Sequence, residues 1–327
     1  MMNTIMLNAD TPQLAPCAAT IGFFDGVHLG HQYLISQVVD EARRRHLQST
    51  VITFATHPRQ VVQPGYVPQL ITPLGMKIRR LRLTNADNVV VLPFDEGMAA
   101  LSARDFMRTV LAARLGVKSL VIGYDNRFGH NRSEGFADYV RYGAELGIDV
   151  RQALPLVVQG VKVSSSVVRR LLSEGRVEEA NRCMGARYTI AGRVERGFQE
   201  GRRLGFPTAN IAPADPCQIV PHAGVYAARV SIEGGGWMPA MLNVGDNPTF
   251  GRSRTTLEAH IIGFCADIYG KEVSVELCRW IRGERRFGSA EELGAQLSAD
   301  RQSIVEALAE CGGDADVSSA TISETEK

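Results

Sequence analysis

No two cysteines in this 327-residue chain are spaced as C-x-x-C, and the six present, at 17, 183, 217, 265, 278 and 311, show no metal-ligand spacing. That argues against a disulfide scaffold and a thiolate metal site, and for free thiols in a cytoplasmic protein. No apolar run approaches the ~20 residues of a membrane span. The opening residues lack a basic segment followed by an apolar one, so no signal peptide is expected. Net charge is nearly absent too, with 36 Lys and Arg against 35 Asp and Glu. No bulk field therefore favours nucleic acid or an anionic membrane. Lys77, Arg79, Arg80 and Arg82 alternate with Ile78, Leu81 and Leu83, which reads as the solvated side of an amphipathic helix. There is no internal repeat and no evident basic–aromatic stripe of the kind that binds single strands.

What is present divides into two halves of different period, in a chain long enough for two domains. In the first, short apolar runs at Ala18–Phe23, 51–54, 89–92 and 120–123 have the composition of buried parallel strands. Helical patterns lie between and after them, around 32–46, 74–84, 102–115 and 135–146. This rhythm implies a doubly wound parallel sheet with its ligand sites outside the carboxyl ends of the strands. After about Gly185 the rhythm changes. Segments 187–197, 224–233, 238–244, 257–264 and 272–280 read as strands without intervening helices, with turns at Gly234–Gly236 and Asp267–Gly270. A small antiparallel barrel follows. One helix closes it, opened by the pair Ser289 and Glu292 ahead of Leu293, Leu297, Ile304 and Leu308. The expected domains are 1–184 and 185–311, with a disordered tail at 312–327 poor in large apolar residues.

Three first-half motifs follow strand ends, and the most informative is Gly22-Phe23-Phe24-Asp25-Gly26-Val27-His28-Leu29-Gly30-His31. A strand, a tight turn and a helix start together present unpaired N–H groups and the positive end of the helix dipole to an anion. His28 and His31 add donors able to follow phosphate charge without attacking it. The alternative is a surface turn with two incidental histidines. The others are Thr56-His57-Pro58-Arg59 and Gly123-Tyr124-Asp125-Asn126-Arg127-Phe128-Gly129. At the end of this half, Ser164-Ser165-Ser166 begins a helix expected to stop near Gly175. Ser165 or Ser166 caps it, and Arg169 lies one turn in, where a guanidinium can clamp phosphate oxygens.

The second half carries Gly201-Arg202-Arg203-Leu204-Gly205-Phe206-Pro207-Thr208-Ala209-Asn210-Ile211. Its glycines and arginines suit a cationic loop over phosphates. Thr208 and Asn210 are two apart, so on an extended segment both point to one face and offer Mg²⁺ two oxygens. Glu258, in Thr256-Leu257-Glu258-Ala259-His260, is placed to take a proton from a substrate hydroxyl or else is a solvated strand carboxylate. His260 shares its face and is the weaker competing base. Asn243-Val244-Gly245-Asp246-Asn247-Pro248-Thr249-Phe250 reads as a turn-rich connector.

On these motifs the chain resembles the bacterial bifunctional riboflavin kinase/FAD synthetase family over roughly residues 15–310. The motifs come from two domains, in the family's order and at compatible separations. The resemblance implies a first half that transfers AMP from ATP to FMN and a second that phosphorylates riboflavin, with ATP as co-substrate and Mg²⁺ as cofactor. It implies Glu258, His28, His31 and Arg169 as catalytic residues, and Gly22, Phe24, Gly30, Ser165, Ser166, Gly201, Arg202 and Gly205 as phosphate contacts. Asp125 and Asn126 would line the flavin or adenine side, and Thr208 and Asn210 would hold Mg²⁺. Riboflavin, FMN, FAD and ATP would be its ligands, with neither nucleic acid nor membrane as partner. Phe24 stands where the family often has Asn, Thr56 where it has Pro, Ser166 where it has Thr, and Ala223 where a polar residue is common. The first of these bears on the adenylyltransferase half alone. Two rival readings stay open: a kinase whose other half is impaired, and a flavin- or RNA-binding module that lacks a base.

Overall fold

The structure, a computed structural model, describes residues 2–124, 126–158, 160–197, 205–247 and 254–311. The chain forms two compact units, Met1–Ser164 and Ser165–Lys327.

The first unit runs β1 (Asn3–Met6), β2 (Cys17–Ile21), α1 (Leu29–Arg45), β3 (Gln48–Phe54), α2 (Pro58–Val62), α3 (Leu74–Leu81) and β4 (Asn88–Leu92). It continues with α4 (Glu96–Ala99), α5 (Ala103–Phe106, extended by a π-type turn to Ala112), β5 (Val117–Ile122), α6 (Phe136–Leu146) and β6 (Asp149–Gln152), and ends with the short hairpin β7 (Val157–Val158) and β8 (Val161–Lys162). Six strands pair in the order β1-β4-β3-β2-β5-β6, all parallel. The doubly wound sheet expected from the alternating runs is what forms. Its central strands are mostly apolar because both faces are covered, and polar residues within them, among them Thr20, Thr50, Thr53 and Ser119, are buried as well. Ile21, Ile52, Val90 and Leu120 pack on one side with Phe106, Leu111 and Tyr139. Ala18, Val51, Val89 and Val121 pack on the other with Leu34, Ile35, Val38 and Val39 of α1.

The edge strands β1 and β6 have no counterpart among the sequence-predicted runs. Each is four residues and partly or wholly exposed, so neither needs a continuous apolar run and only pairing defines it. The strand order reverses about β2: β3 and β4 are added on one side and β5 on the other. The crevice between the carboxyl ends of β2 and β5 is the topological switch point at which open α/β sheets place their ligands.

The second unit begins with α7 (Ser165–Ser173) and α8 (Val177–Met184), then β9 (Tyr188–Glu195), β10 (Ala209–Pro213), β11 (Gly224–Ile232), β12 (Met238–Asn247), β13 (Arg254–Ile261) and β14 (Glu272–Arg282), and closes with α9 (Ala290–Cys311). The six strands close into an antiparallel barrel in the order β10-β13-β12-β11-β14-β9. Helix α9 opens as its sequence requires: the Glu292 N–H donates to Ser289 Oγ at 3.2 Å, and the Glu292 carboxylate accepts from the Gly288 N–H at 2.9 Å. Ile304, Ala307 and Leu308 then cover Val225, Ala227, Met241 and Cys278 on the outside of the barrel. The units divide after Ser164, ahead of the change of period near Gly185, because α8 packs on β9 and β14.

Candidate active sites

In the first unit the Gly22–His31 turn leaves the end of β2, and the 123–129 loop leaves the end of β5, so both rim the switch point. The Asn126 side-chain N–H donates to the Ile21 carbonyl, which ties the second loop to the end of β2. Tyr139 fixes the other end of that loop. Its hydroxyl bonds the Phe128 backbone at 3.0 Å, and its ring stacks on Phe128 at 4.2 Å. Asp125 lies outside the described residues.

The turn itself is strained. Phe24, Gly26 and Val27 all have left-handed backbones, with φ of 54°, 83° and 45°. Such a conformation costs a bulky or β-branched residue ~1–3 kcal/mol, so the surroundings must hold it. Asp25 is buried, and its carboxylate accepts from the amides of Ile71 and Thr72 at 3.0 Å. The Gly26 N–H donates to Thr72 Oγ1 at 2.9 Å. Phe24 is also buried. Its ring lies under Gly22, where a Cβ would meet it at 3.2 Å, and its edge contacts the His31 ring at 5.1 Å. Its side chain therefore supports the turn from beneath.

His28 caps α1: its Nδ1 accepts from the His31 N–H at 3.3 Å. A nitrogen that accepts carries no proton, so the neutral ring holds its hydrogen on Nε2. The His28 and His31 rings stack at 3.6 Å, 18° apart. Gly30 makes room for this pair, since a Cβ there would lie 3.2 Å from the His28 ring and 3.0 Å from the Val163 carbonyl. That carbonyl immediately precedes the serine run. In the second unit Ser165 opens α7, Ser166 follows it, Arg169 sits one turn further, and Gly175 ends the segment with φ 76°. His57, of the third sequence motif, packs edge-on against Phe23 at 4.6 Å.

Lys77 corrects the sequence expectation for its basic cluster. Arg79 and Arg82 are exposed as expected, but Lys77 is only 1% exposed. Its ammonium donates to the carbonyls of Phe23 at 3.0 Å and Phe54 at 2.9 Å and lies 3.9 Å from the Phe23 ring centroid. Burial pushes its pKa down to about 8, against the opposing pull of Asp25.

In the second unit the barrel register assembles the other site. Glu258 on β13 lies directly across from Asn210 on β10 and from Asn243 on β12. Directly paired residues share a face, and this is the outer one, because the flanking Leu257 and Ala259 point inward and are buried. Thr208 donates from Oγ1 to Glu258 Oε2 at 3.4 Å. The sequence expectation that Thr208 and Asn210 share a face with each other is met, and the barrel adds Glu258 to them. Gly197 lets the Asn210 amide lie against the backbone, since any Cβ there would overlap it.

Phe206, Pro207 and His260 set the height of Thr208. Phe206 is buried under α9 with Ile304 and Leu308. His260, itself buried, holds the Pro207 carbonyl through Nδ1 at 2.9 Å, and its ring meets the Phe206 edge at 5.2 Å. A carbonyl only accepts, so Nδ1 is the protonated nitrogen. The structure thus employs His260 as a latch for the 206–208 segment. Beside Thr208 opens a cavity of about 510 Å³, walled by Val194, Pro207, Ala209, Ile261, Phe264, Cys265 and the 266–269 turn. Its size is that of a small-ligand site. From sequence, Asp267–Gly270 reads as a turn only, because these residues have no chemistry until β9 and β13 stand beside them. Gly205, with φ 80°, is exposed. Gly201, Arg202 and the 248–250 part of the Asn243 connector lie outside the described residues, as does the tail at 312–327.

Among the described residues no group of three or more His, Cys, Asp or Glu could hold a metal ion, and no helix is long and apolar enough to cross a membrane.

Two family models match separate parts of the chain. A family model described as FAD synthetase matches residues 10–167, and one described as riboflavin kinase matches 184–308. A bifunctional riboflavin kinase/FMN adenylyltransferase of Escherichia coli strain K12 is 37% identical over 87% of this chain and 90% of its own. The Haemophilus influenzae protein of the same description is 35% identical over 88% of this chain and 92% of its own. A solved structure described as a macrolide-efflux protein from Streptococcus pneumoniae is 30% identical and superposes with a TM-score of 0.84, covering 92% of this chain and 98% of that one. That description concerns the other protein and is not carried over.

Proposed function

The chain belongs to the family of bifunctional riboflavin kinases/FMN adenylyltransferases, and from that membership we propose how its residues divide the two reactions. It phosphorylates riboflavin with ATP to give FMN, and it adenylylates FMN with a second ATP to give FAD and pyrophosphate. Residues 185–311 carry the first reaction and 1–184 the second.

In the kinase half, the flavin's ribityl hydroxyl attacks the γ-phosphorus and ADP leaves. Glu258 takes the hydroxyl proton. The observation that carries this assignment is the row Asn210–Glu258–Asn243 with the Thr208 hydroxyl on the same carboxylate. A solvated strand carboxylate would have no reason to be ringed by three neutral polar side chains. The cavity beside Thr208 takes the nucleotide, with its phosphates toward Thr208 and Gly205, and family membership implies Gly201 and Arg202 as further phosphate contacts. Thr208 and Asn210 supply the hydroxyl and amide oxygens that suit Mg²⁺, a hard ion usually shared with substrate phosphates. When bound, that ion neutralises phosphate charge. The chain's own contribution is to position the hydroxyl in line and to accept its proton.

In the adenylyltransferase half, an FMN phosphate oxygen forms a bond to the α-phosphorus as the bond to the bridging oxygen of pyrophosphate breaks. The attacking group is already an anion, so no protein nucleophile is needed. His28 and His31 steady the developing charge from the start of α1, and family membership implies a phosphate role in the same reaction for Ser165, Ser166 and Arg169. Gly22 and Gly30 admit the phosphates, Phe24 backs His31, Asn126 lies on the flavin or adenine side, and family membership implies the same role for Asp125. A cytoplasmic setting fits the free thiols of Cys17, Cys183, Cys217, Cys265 and Cys278.

One incubation tests the whole reading. Riboflavin, ATP and Mg²⁺ are supplied and the flavins separated by chromatography: FMN should appear first and FAD after it. FMN that accumulates without FAD, even with fresh ATP, would leave only the kinase half in force. Flavin binding without turnover would make the chain a binding module.

A further inference from the structure

The adenylyl-transfer turn is held from behind at three successive points by α3 and the segment that leads into it. Lys77 of α3 takes the Phe23 carbonyl at 3.0 Å, and Arg80, one turn on, donates to the Gly26 carbonyl at 3.3 Å. Between them the Asp25 carboxylate takes the amides of Ile71 and Thr72, in the segment that leads into α3. The left-handed residues Phe24, Gly26 and Val27 fall within or beside these ties. Lys77 reaches furthest. Its second carbonyl, Phe54, ends β3, the strand next to β2, and Thr53 Oγ1 of that strand donates to the Phe23 carbonyl at 3.1 Å. One buried ammonium therefore joins the outgoing ends of two adjacent strands at the root of the phosphate turn.

We propose that Lys77 is a positioning residue for adenylyl transfer: by clasping the Phe23 and Phe54 carbonyls it locks the strained turn that aims His28 and His31 at the nucleotide phosphates. A buried lysine placed only for packing would be replaceable by methionine, which matches its length and avoids the cost of an enclosed charge. Here the charge is retained, and both of its backbone partners lie at the mouth of the site. The ammonium form supplies three donors and a full charge; the neutral amine supplies two weaker donors and none of the charge. Burial has already brought the proton's loss down to about pH 8. The charged and titratable groups around Lys77 are Asp25 in the turn, Arg80 on its own helix and His57 across the Phe23 ring. The inference rests on the turn being the adenylyl-transfer site.

The experiment uses the full chain and follows FAD formation from supplied FMN beside FMN formation from riboflavin. In the wild type, FAD formation should fall about tenfold per pH unit above pH 8 while FMN formation does not follow it; a constant ratio of the two up to pH 10 overturns the proposal without any variant. Lys77→Met should lower kcat for FAD at least tenfold, with KM for FMN changed less than threefold and FMN formation unchanged. Lys77→Arg keeps its charge at every pH used and should recover part of kcat and move the alkaline limb upward. A wild-type kcat in Lys77→Met, or an unmoved limb in Lys77→Arg, overturns the assignment. Amide exchange in β3–β5 reports whether the first unit has folded, and if Lys77→Met has not, the wild-type and Lys77→Arg limbs decide. Failure of the underlying site reading is seen separately: His28→Asn would then form FAD at the wild-type rate.

Discussion

The cap made by His28 and the phosphate role proposed for it are separable, and exchanging it for Ala or for Asn should tell them apart. Its Nδ1 caps α1 through the His31 N–H, and its ring stacks on His31 at 3.6 Å. Its Nε2–H is the donor that the proposed function assigns to a phosphate. Removing a side-chain cap costs about 1 kcal/mol, and losing the ring contact costs about 1 kcal/mol more. His28→Ala should therefore destabilise the first unit by about 2 kcal/mol, or roughly 4–8 °C in Tm for a unit of this size. His28→Asn restores the cap, because an amide oxygen accepts from the same N–H, and should recover about half of that loss. Neither variant restores an Nε2–H in the same place, so both should lose FAD formation by about 10²–10³-fold, the effect of deleting one preorganised donor to transition-state charge. Calorimetry of the two variants supplies the stabilities, and chromatography of FMN and FAD supplies the rates, with FMN formation as the control within each sample. Asn that proves no more stable than Ala refutes the cap. Asn that makes FAD at the wild-type rate refutes the phosphate role and leaves His28 as a cap alone.

In the kinase half, Glu258→Gln should lower FMN formation by about 10²–10⁴-fold while riboflavin still binds by titration calorimetry; unchanged turnover would remove it as the base. His260→Ala frees the Pro207 carbonyl and should cost about tenfold in kcat/KM for ATP at the kinase site, an effect sized to the loss of one buried hydrogen bond. His260→Gln, with an N–H to offer, should recover most of it, and equal losses in the two would show that the latch is not the cause. Gly26→Ala places a Cβ 3.0 Å from Ile71 at φ 83° and should cost about 1–3 kcal/mol in urea unfolding; a cost below about 0.5 kcal/mol would mean the turn does not need that conformation. Lys77 also gives stability and activity opposite pH signs. Its folded pKa of about 8 lies below the ordinary 10.5, so between these values the unfolded chain binds the extra proton and unfolding becomes harder as pH rises. Wild type should gain about 3 kcal/mol over Lys77→Met across that window, while FAD formation falls. A stability difference that shrinks toward alkaline pH would contradict the burial argument.

Sequence alone determined whatever rests on local composition and period. The central strands are mostly apolar because helices cover both faces of the sheet, and that requirement is visible in Val89–Leu92 as written. The start of α9 was legible because Ser289 and Glu292 satisfy its first amides across one turn. The Gly22–His31 turn and the shared face of Thr208 and Asn210 were equally local. The tertiary structure decided everything that depends on residues distant in the chain. Edge strands β1 and β6 exist through pairing, which no period reveals when one strand neighbour is missing. Lys77 sits in a stripe that reads as solvated, and only the convergence of the β2 and β3 ends, 54 and 23 residues away in the chain, encloses it. His260 resembled a second base until the barrel carried the Pro207 carbonyl, 53 residues distant, to its Nδ1. Glu258 was one carboxylate among 35 acidic residues until the register set it between Asn210 and Asn243. A local pattern states which face a side chain takes; only closure of the sheet and barrel settles what it meets there.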